Sequence, residues 1–212
     1  MYFSWKNFAV FLRRALHPPP DSPYRLTLKR AATLAGFLGL FLATELATRI
    51  GFGLDHLLYP RHTDTEIEDP VFIIGNPRSG TTFLHRLLAQ DTRSFTTMRL
   101  WEILFAPSIV QRRVTRALAG LDRTIGSPLH RHIARWDAKV AQSNELHNAE
   151  ILSPEEDQFV LVHCWSTLAI WHFSGILEEA GPYTYFDTAV PQEEKQRIID
   201  FYRRAIQRHL YA

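Results

Sequence analysis

Apolar positions recur at intervals of three or four residues along most of the chain, which is the spacing of one face of an α-helix. Residues 1–16 show this pattern among basic side chains, and residues 198–210 show it again. Residues 109–137 show it twice, with an interruption at Gly126-Ser127-Pro128. Because glycine and proline break helices, this stretch predicts two consecutive amphipathic helices. Their basic side chains, Arg112 among them, are expected on a solvated or lipid-facing surface.

A long apolar segment covers residues 29–59 and predicts a second helix of the N-terminal region. Its charge-free part runs from Ala31 to Thr44 and would be about 21 Å long at ~1.5 Å per residue, whereas a bilayer core is about 30 Å thick. A longer span would include Glu45 and Arg49, which are costly at membrane depth. Three interpretations stay open: a helix lying in the membrane interface, a single span, and a helical cap packed on the rest of the chain.

We favour the interfacial interpretation, so residues 1–69 are predicted to be an apolar helical region associated with a membrane surface. Lys29 and Arg30 precede the apolar segment and would hold the N-terminus of a spanning helix in the cytoplasm. A span would therefore carry the rest of the chain outside. An interfacial helix instead keeps the whole protein on the cytoplasmic side of the membrane.

A short apolar run at residues 71–74 predicts a buried β-strand, and a helical pattern follows from Thr82 onward. The loop between them has the spacing Gly75-x4-Gly80-Thr81-Thr82, which is that of a phosphate-binding loop with threonine in place of the lysine. Glycines let successive N–H groups turn toward one point, and the N-terminus of the following helix adds partial positive charge. The loop therefore predicts a site for an anion.

The missing lysine narrows the choice of ligand. In nucleoside triphosphatases that lysine reaches the β- and γ-phosphates, so a triphosphate would lose its main charge partner here. Arg78 lies earlier in the loop and would approach the anion from another side. This arrangement favours a ligand with one phosphate in the loop and its reactive group just beyond.

The sequence PRSGTT at residues 77–82 resembles the 5′-phosphosulfate-binding loop of sulfotransferases, which use 3′-phosphoadenosine 5′-phosphosulfate (PAPS) as sulfuryl donor. Three further stretches are similar to bacterial members of that family: LWEILFAPSI at 100–109, SPEEDQFVL at 153–161 and FYRRAIQRHLYA at 201–212. The resemblance implies that residues 70–212 form the N-terminal part of a sulfotransferase domain in a longer enzyme, and that the present piece alone is inactive.

The implied fold is α/β, a P-loop-like parallel sheet flanked by helices. A parallel sheet needs several strands, and the chain offers only residues 71–74 and, less clearly, 95–98. Helices are therefore expected to dominate this part of the fold.

The resemblance also implies the site residues. Arg78 would neutralise the charge that develops as sulfate leaves, and Glu102 would be the general base, with His85 as a rival. The alternative for Glu102 is that it only caps the helix that follows. No metal is required, because arginine and backbone amides take its place. The donor would be bound by Pro77, Arg78, Ser79, Gly80, Thr81 and Thr82.

A helix start is predicted at Ser153-Pro154, where serine, proline and acidic residues stand in the order of a cap and first turn. The apolar helix behind it, from residue 157 to about residue 177, should be buried or face an apolar substrate. It contains Cys164, the only cysteine, so no intrachain disulfide can form. An inert buried thiol is expected there. His130 and His132 do not share a helix face and do not predict a metal site.

Composition excludes few partners. The net charge of +2 comes from 24 basic and 22 acidic residues, so no polyanion is required as a partner and no nucleic-acid-reading motif is present. The expected function is sulfuryl transfer to a hydroxyl acceptor, with a lipid-like one favoured by the apolar segments. Two alternatives stay open: a kinase of nucleotides or phosphometabolites, and a non-catalytic membrane-associated helical module that retains the loop. The oligomeric state is not indicated.

Overall fold

The computed structural model describes residues 2–18, 25–76, 79–143, 150–168, 170 and 181–212, with the side chains of 140–143 and Gly181 left out. Its secondary structure is helical. The α-helices are α1 (Trp5–Leu16), α2 (Leu28–Leu58), α3 (Thr81–Leu88), α4 (Leu100–Phe105), α5 (Ile109–Thr124), α6 (Pro128–Ser143), α7 (Gly181–Thr184), α8 (Phe186–Ala189) and α9 (Gln192–Tyr211), and 3₁₀-helices cover Pro60–Asp64 and Asp157–Cys164. The helices predicted near both ends of the chain and at 29–59 are thus confirmed.

The chain forms two compact units, each made of two segments. The first consists of Met1–Arg49 and Gln158–Arg204, and the second of Ile50–Asp157 and Ala205–Ala212. The boundary between residues 69 and 70 that motif and composition suggested stays a prediction.

Trp165 is the centre of the core of the first unit. Its ring lies 4.7 Å from that of Phe41, 5.0 Å from Phe8 and 5.3 Å from Phe11, centroid to centroid, in edge-to-face arrangements. Such pairs contribute about 0.5–1.5 kcal/mol each beyond the area they bury. Ile170 completes the buried cluster. Aromatic residues of α1 and α2, which are far from Trp165 in sequence, thereby hold this unit together.

Polar contacts fix the start of α1 against the same segment. The Ser4 side chain accepts from the Asn7 amide as N-cap, while the Ser4 N–H donates to the Cys164 carbonyl at 2.8 Å. The Asn7 side chain donates to the Trp165 carbonyl at 2.9 Å. Cys164 is buried, and burial raises the pKa of its thiol to about 12. The expectation of a buried thiol is confirmed.

In the second unit, the interruption between α5 and α6 is confirmed. Gly126 and Ser127 both have positive φ, +86° and +59°, which reverses the chain between the two helices. The Asp122 carboxylate then accepts from the amides of Leu129 and His130 at 2.9 and 3.0 Å. These bonds satisfy N–H groups in the first turn of α6 that no helix carbonyl can reach.

A buried carboxylate caps α5 from outside that helix. Asp55 has no exposed surface, and its oxygens accept from the amides of Ile109 and Val110 at 3.0 Å each. The Nε of Arg208 donates to the same carboxylate at 3.1 Å. The anionic group therefore lies at the positive end of the helix dipole and is neutralised by an arginine from α9.

Arg112 corrects one prediction. The sequence pattern placed it on a solvated or lipid-facing surface, but the side chain is completely buried. Its Nε donates to the Ala106 carbonyl at 3.0 Å and its Nη1 to Nδ1 of His209 at 2.7 Å. These acceptors replace water at Nε and Nη1, whereas Nη2 is buried with no hydrogen-bond partner among the described residues. The periodicity of the helix could not predict this burial, because the partner His209 lies 97 residues further along the chain.

The two predicted strands are not formed among the described residues. Residues 71–76 form no regular secondary structure, and Val71, Phe72 and Ile74 are 59%, 71% and 91% exposed. Residues 95–98 end in one antiparallel bridge, between Arg99 and Pro154. An apolar β-branched run indicates burial, but a strand also needs a neighbour for its N–H and C=O groups. The parallel sheet stays a prediction.

The helix start predicted at Ser153-Pro154 is wrong. Ser153 accepts at its carbonyl from the Leu100 amide at 3.2 Å, and the Glu155 amide donates to the Met98 carbonyl at 3.1 Å. These bonds hold the segment extended beside residues 98–100, so regular structure begins later, with the 3₁₀-helix at Asp157. Tertiary pairing has overridden a local cap signal.

Candidate functional site

The loop before α3 uses Gly80 for its backbone conformation. Gly80 is the N-cap of α3 and lies in the left-handed region, with φ +88° and ψ +12°. A Cβ at this position would meet nothing within 4 Å, so space does not explain the glycine. The positive φ does, because any other residue would be strained there. The sharp entry into α3 therefore depends on this residue.

Gly75 is required for a different reason, which is close approach. A Cβ at Gly75 would lie 2.6 Å from Oγ of Ser79 and 2.8 Å from Cγ2 of Thr81. The Ser79 amide also donates to the Asn76 carbonyl at 3.1 Å, which tightens the turn. The first glycine of the motif thus lets the loop close onto the start of the helix.

The start of α3 supplies the donors of the predicted anion site. The Leu84 amide makes the first α-helical bond, to the Gly80 carbonyl at 3.0 Å, so the amides of residues 81–83 have no partner inside the helix. Gly80 and Ser79 are exposed, and Thr81 and Thr82 are half-buried. The structure therefore brings Ser79, Gly80 and Thr81 together next to Gly75. Pro77 and Arg78, also predicted to bind the donor, lie outside the described residues.

Glu102 lies in the first turn of α4 and is almost completely buried, at 4% exposure. Its Oε2 accepts from the Arg99 amide at 2.9 Å, which is the reciprocal half of a capping box. Its Oε1 accepts from Nη2 of Arg116 at 3.2 Å. The helix cap considered as an alternative is therefore present. A cap does not exclude a base, because each carboxylate oxygen has a second lone pair.

His85, the rival base, links two elements of the site. Its Nε2 lies 2.7 Å from Oγ1 of Thr97. This contact joins α3 to the segment that leads into α4, where Glu102 lies. In the described structure the loop and Glu102 are thus connected through the His85–Thr97 pair and the chain that follows it.

Sequence analysis did not identify the polar group around His209, in which Arg112 is buried, His209 is half-buried and Thr96 is exposed. Since Arg112 can only donate, Nδ1 of His209 is the acceptor and its proton is on Nε2, which donates to Oγ1 of Thr96 at 2.8 Å. Burial, followed by the Arg112 charge, lowers the pKa of His209 to about 4. Burial also lowers the pKa of Arg112 to about 10. A histidine in an amphipathic helix carried no local signal of these partners.

Comparison with known proteins decides the family. Residues 70–173 match the model described as the sulfotransferase family. Over this segment, the chain belongs to the sulfotransferase family. The matched segment contains both the PRSGTT loop and Glu102. A comparison with curated proteins gave no match, and a comparison with solved structures gave none either.

The sulfotransferase segment has no evident metal centre where the structure describes it. Among those residues, no group of three histidine, cysteine or acidic side chains could hold a metal ion. The chemistry available there includes backbone amides, hydroxyls, guanidinium groups, the His85 imidazole and the Glu102 carboxylate.

Proposed function

We propose that the protein transfers a sulfuryl group from PAPS to a hydroxyl acceptor. The observation that carries this proposal is the geometry of the described loop residues, 75–76 and 79–81, within the segment matched by the family. Two glycines, one needed for close approach and one for positive φ, direct the loop into the amides of α3. This arrangement suits a single phosphate group, and the missing lysine argues against a triphosphate.

The residues fit the 5′-phosphate of such a donor. The amides at the start of α3 and the hydroxyls of Ser79, Thr81 and Thr82 would donate to its oxygens. A Cβ at Gly75 would contact Ser79 and Thr81 directly, so the loop could not retain this shape with a larger residue. The donor supplies the activated sulfuryl group, and the chain supplies position and charge.

The catalytic roles follow from the charge that moves during the transfer. The acceptor oxygen forms a bond to sulfur while the bond between sulfur and the 5′-phosphate oxygen breaks. Glu102 would take the proton of the acceptor hydroxyl. Arg78 would neutralise the negative charge that the 5′-phosphate gains. Arg116, through its contact at 3.2 Å, would hold the Glu102 carboxylate in place.

The acceptor class is inferred from the apolar surfaces of the chain. The apolar stretch that begins at residue 159 was one reason to favour a lipid-like acceptor. In the structure Val160, Cys164 and Trp165 of that stretch are buried in protein, so they do not form an open apolar surface. The remaining support for an amphiphilic acceptor is the exposed apolar surface of α2.

Calorimetry on the full-length protein tests the donor. We expect adenosine 3′,5′-bisphosphate to bind at least about tenfold more tightly than ATP, which corresponds to about 1.4 kcal/mol, because the loop lacks the triphosphate lysine. Gly80→Ala should weaken this binding, since alanine costs roughly 1–2 kcal/mol in the left-handed conformation. The matched control is Gly36→Ala, because Gly36 lies in α2 and a Cβ there meets nothing within 4 Å.

Equal or tighter binding of ATP would contradict the proposal and favour the kinase alternative. Failure of both ligands to bind the full-length protein would instead favour a non-catalytic module. A Gly80→Ala protein that binds as well as the wild type would show that the loop geometry is not what recognises the donor.

A further inference from the structure

The polarity of α2 is inverted relative to that of a helix on the surface of a soluble protein. Between Lys29 and His56, each exposed residue of the helix is apolar, a glycine or a threonine. The large side chains among them include Leu40, Leu42 and Leu46, which are 60%, 53% and 62% exposed. We call these three residues the outer face of α2. An amphipathic surface helix would show the opposite, with its charged residues toward water.

Two polar residues of the same stretch, Glu45 and Thr48, point into the protein. Glu45 is 6% exposed and Thr48 has no exposed surface. The Glu45 carboxylate is 2.7 Å from Nη2 of Arg49 and 2.9 Å from Nδ1 of His163. The Arg49 guanidinium also lies over the ring of Phe3, 5.1 Å from its centroid. The charges that seemed costly at membrane depth are therefore paired inside the first unit.

Length and exposure separate α2 from a core helix. It is the one helix of the described ranges that is long and apolar enough to cross a membrane by composition, yet only 17% of its most apolar 18-residue window is buried. A helix buried as a protein core would be covered on most of its surface. The side chains of the outer face are exposed, while the opposite face packs through Phe41 on Phe8 and Trp165.

Charge points to the partner that covers this face. Residues 1–44 carry six lysines and arginines and one acidic residue, Asp21, whereas the whole chain has a net charge of only +2. Trp5, Lys6 and Arg13 of α1 are exposed. Basic and aromatic residues beside an apolar helix surface are the composition of segments that lie in the interface of anionic membranes.

We propose that the outer face of α2 docks the protein onto an anionic lipid bilayer without crossing it. The helix lies along the interface with Leu40, Leu42 and Leu46 among the acyl chains, and the basic residues of the N-terminal region contact the headgroups. A second copy of the chain is disfavoured as the partner, because contact through the same face would bring two basic surfaces together. The inference is independent of the donor and acceptor.

Vesicle co-sedimentation of the whole chain tests the docking. We expect binding to phosphatidylcholine vesicles that contain phosphatidylglycerol, weaker binding to phosphatidylcholine alone, and a decrease with added salt. The double variant Leu42→Glu/Leu46→Glu should reduce the partition coefficient at least about tenfold, because two leucines leave the lipid and two negative charges approach it. Both side chains are exposed, so the fold should be retained, which circular dichroism can check.

The matched control is Leu118→Glu/Leu121→Glu on α5, where the leucines are 55% and 64% exposed. This variant should bind as the wild type does. Equal loss of binding in both double variants would show that no specific docking by α2 exists. A wild-type protein that fails to bind either vesicle overturns the proposal, as does a dimer in solution that Leu42→Glu/Leu46→Glu converts to monomers.

Discussion

A single substitution can separate the two roles considered for Glu102, helix cap and general base. Its carboxylate caps α4 through the Arg99 amide and contacts Arg116. If it is the base, Glu102→Gln keeps the shape but cannot take a proton, so turnover should fall by about 10²–10⁴-fold. Donor affinity should hardly change. Steady-state kinetics of the full-length enzyme with an identified acceptor measure the first quantity, and calorimetry measures the second.

Two controls complete this experiment. Arg116→Gln removes the ion pair but leaves the carboxylate, and the Arg116 side chain is 50% exposed, so stability should change by no more than about 1 kcal/mol. Its turnover should stay well above that of Glu102→Gln. If Glu102→Gln keeps the wild-type turnover and loses about 1 kcal/mol or less of stability, Glu102 acts only as the helix cap. A large loss in His85→Asn together with a silent Glu102→Gln would transfer the role to His85.

His209 makes the stability of the protein depend on pH in a defined window. Burial and the neighbouring Arg112 lower its pKa to about 4 in the folded protein, whereas the unfolded value is about 6.5. Between these values the unfolded chain binds more protons, so the free energy of unfolding falls as pH falls from about 6.5 to about 4. The contribution above pH 6.5 is on the order of 3 kcal/mol.

Urea unfolding at a series of pH values measures this dependence. The matched variant is His209→Gln, because a glutamine oxygen can still accept from Arg112 but does not titrate. The other nine histidines are the same in both proteins, so the difference between the two pH profiles isolates His209. Parallel profiles between pH 4 and 6.5 would contradict the assigned contact.

At the level of elements, the sequence predicted helices better than strands for a physical reason. Helical hydrogen bonds are local, so periodicity and the break at Gly126 were sufficient to predict α5 and α6. A strand at 71–74 depends on neighbours elsewhere in the chain, and the described residues place none beside it. Its apolar side chains consequently lie exposed, with Ile74 at 91%.

The same distinction between local and distant contacts applies to the candidate site and its surroundings. The conformations of Gly75 and Gly80 belong to one continuous loop, so the motif was enough to predict a turn into a helix. The anchoring of α5 by Asp55, by contrast, joins residues 54 positions apart, and Arg208 reaches Asp55 across 153 positions. Neither contact leaves a periodic signal. Arg112 was assigned to an open surface for the same reason.

For the molecule as a whole, the packing of α2 determines how its membrane association can be tested. Deleting the N-terminal region would remove Phe8, Phe11 and Phe41, whose rings surround Trp165. Exposure of that core would cause aggregation, and an insoluble fragment would then say nothing about lipid. Substitutions on the exposed side of α2 avoid this problem because they leave the aromatic core intact.

We therefore expect the intact protein to fractionate with cellular membranes and to be released by carbonate at high pH. The reason is that α2 exposes apolar side chains on one side, while Glu45 and Arg49 on its other side are paired with each other and packed against protein. A span would surround the whole helix with lipid and would require that packing to enter the bilayer too. Protease added outside intact cells should accordingly leave the chain uncut. Resistance to carbonate together with external cleavage would instead establish a span, and the segment at 70–173 would then lie outside the cell.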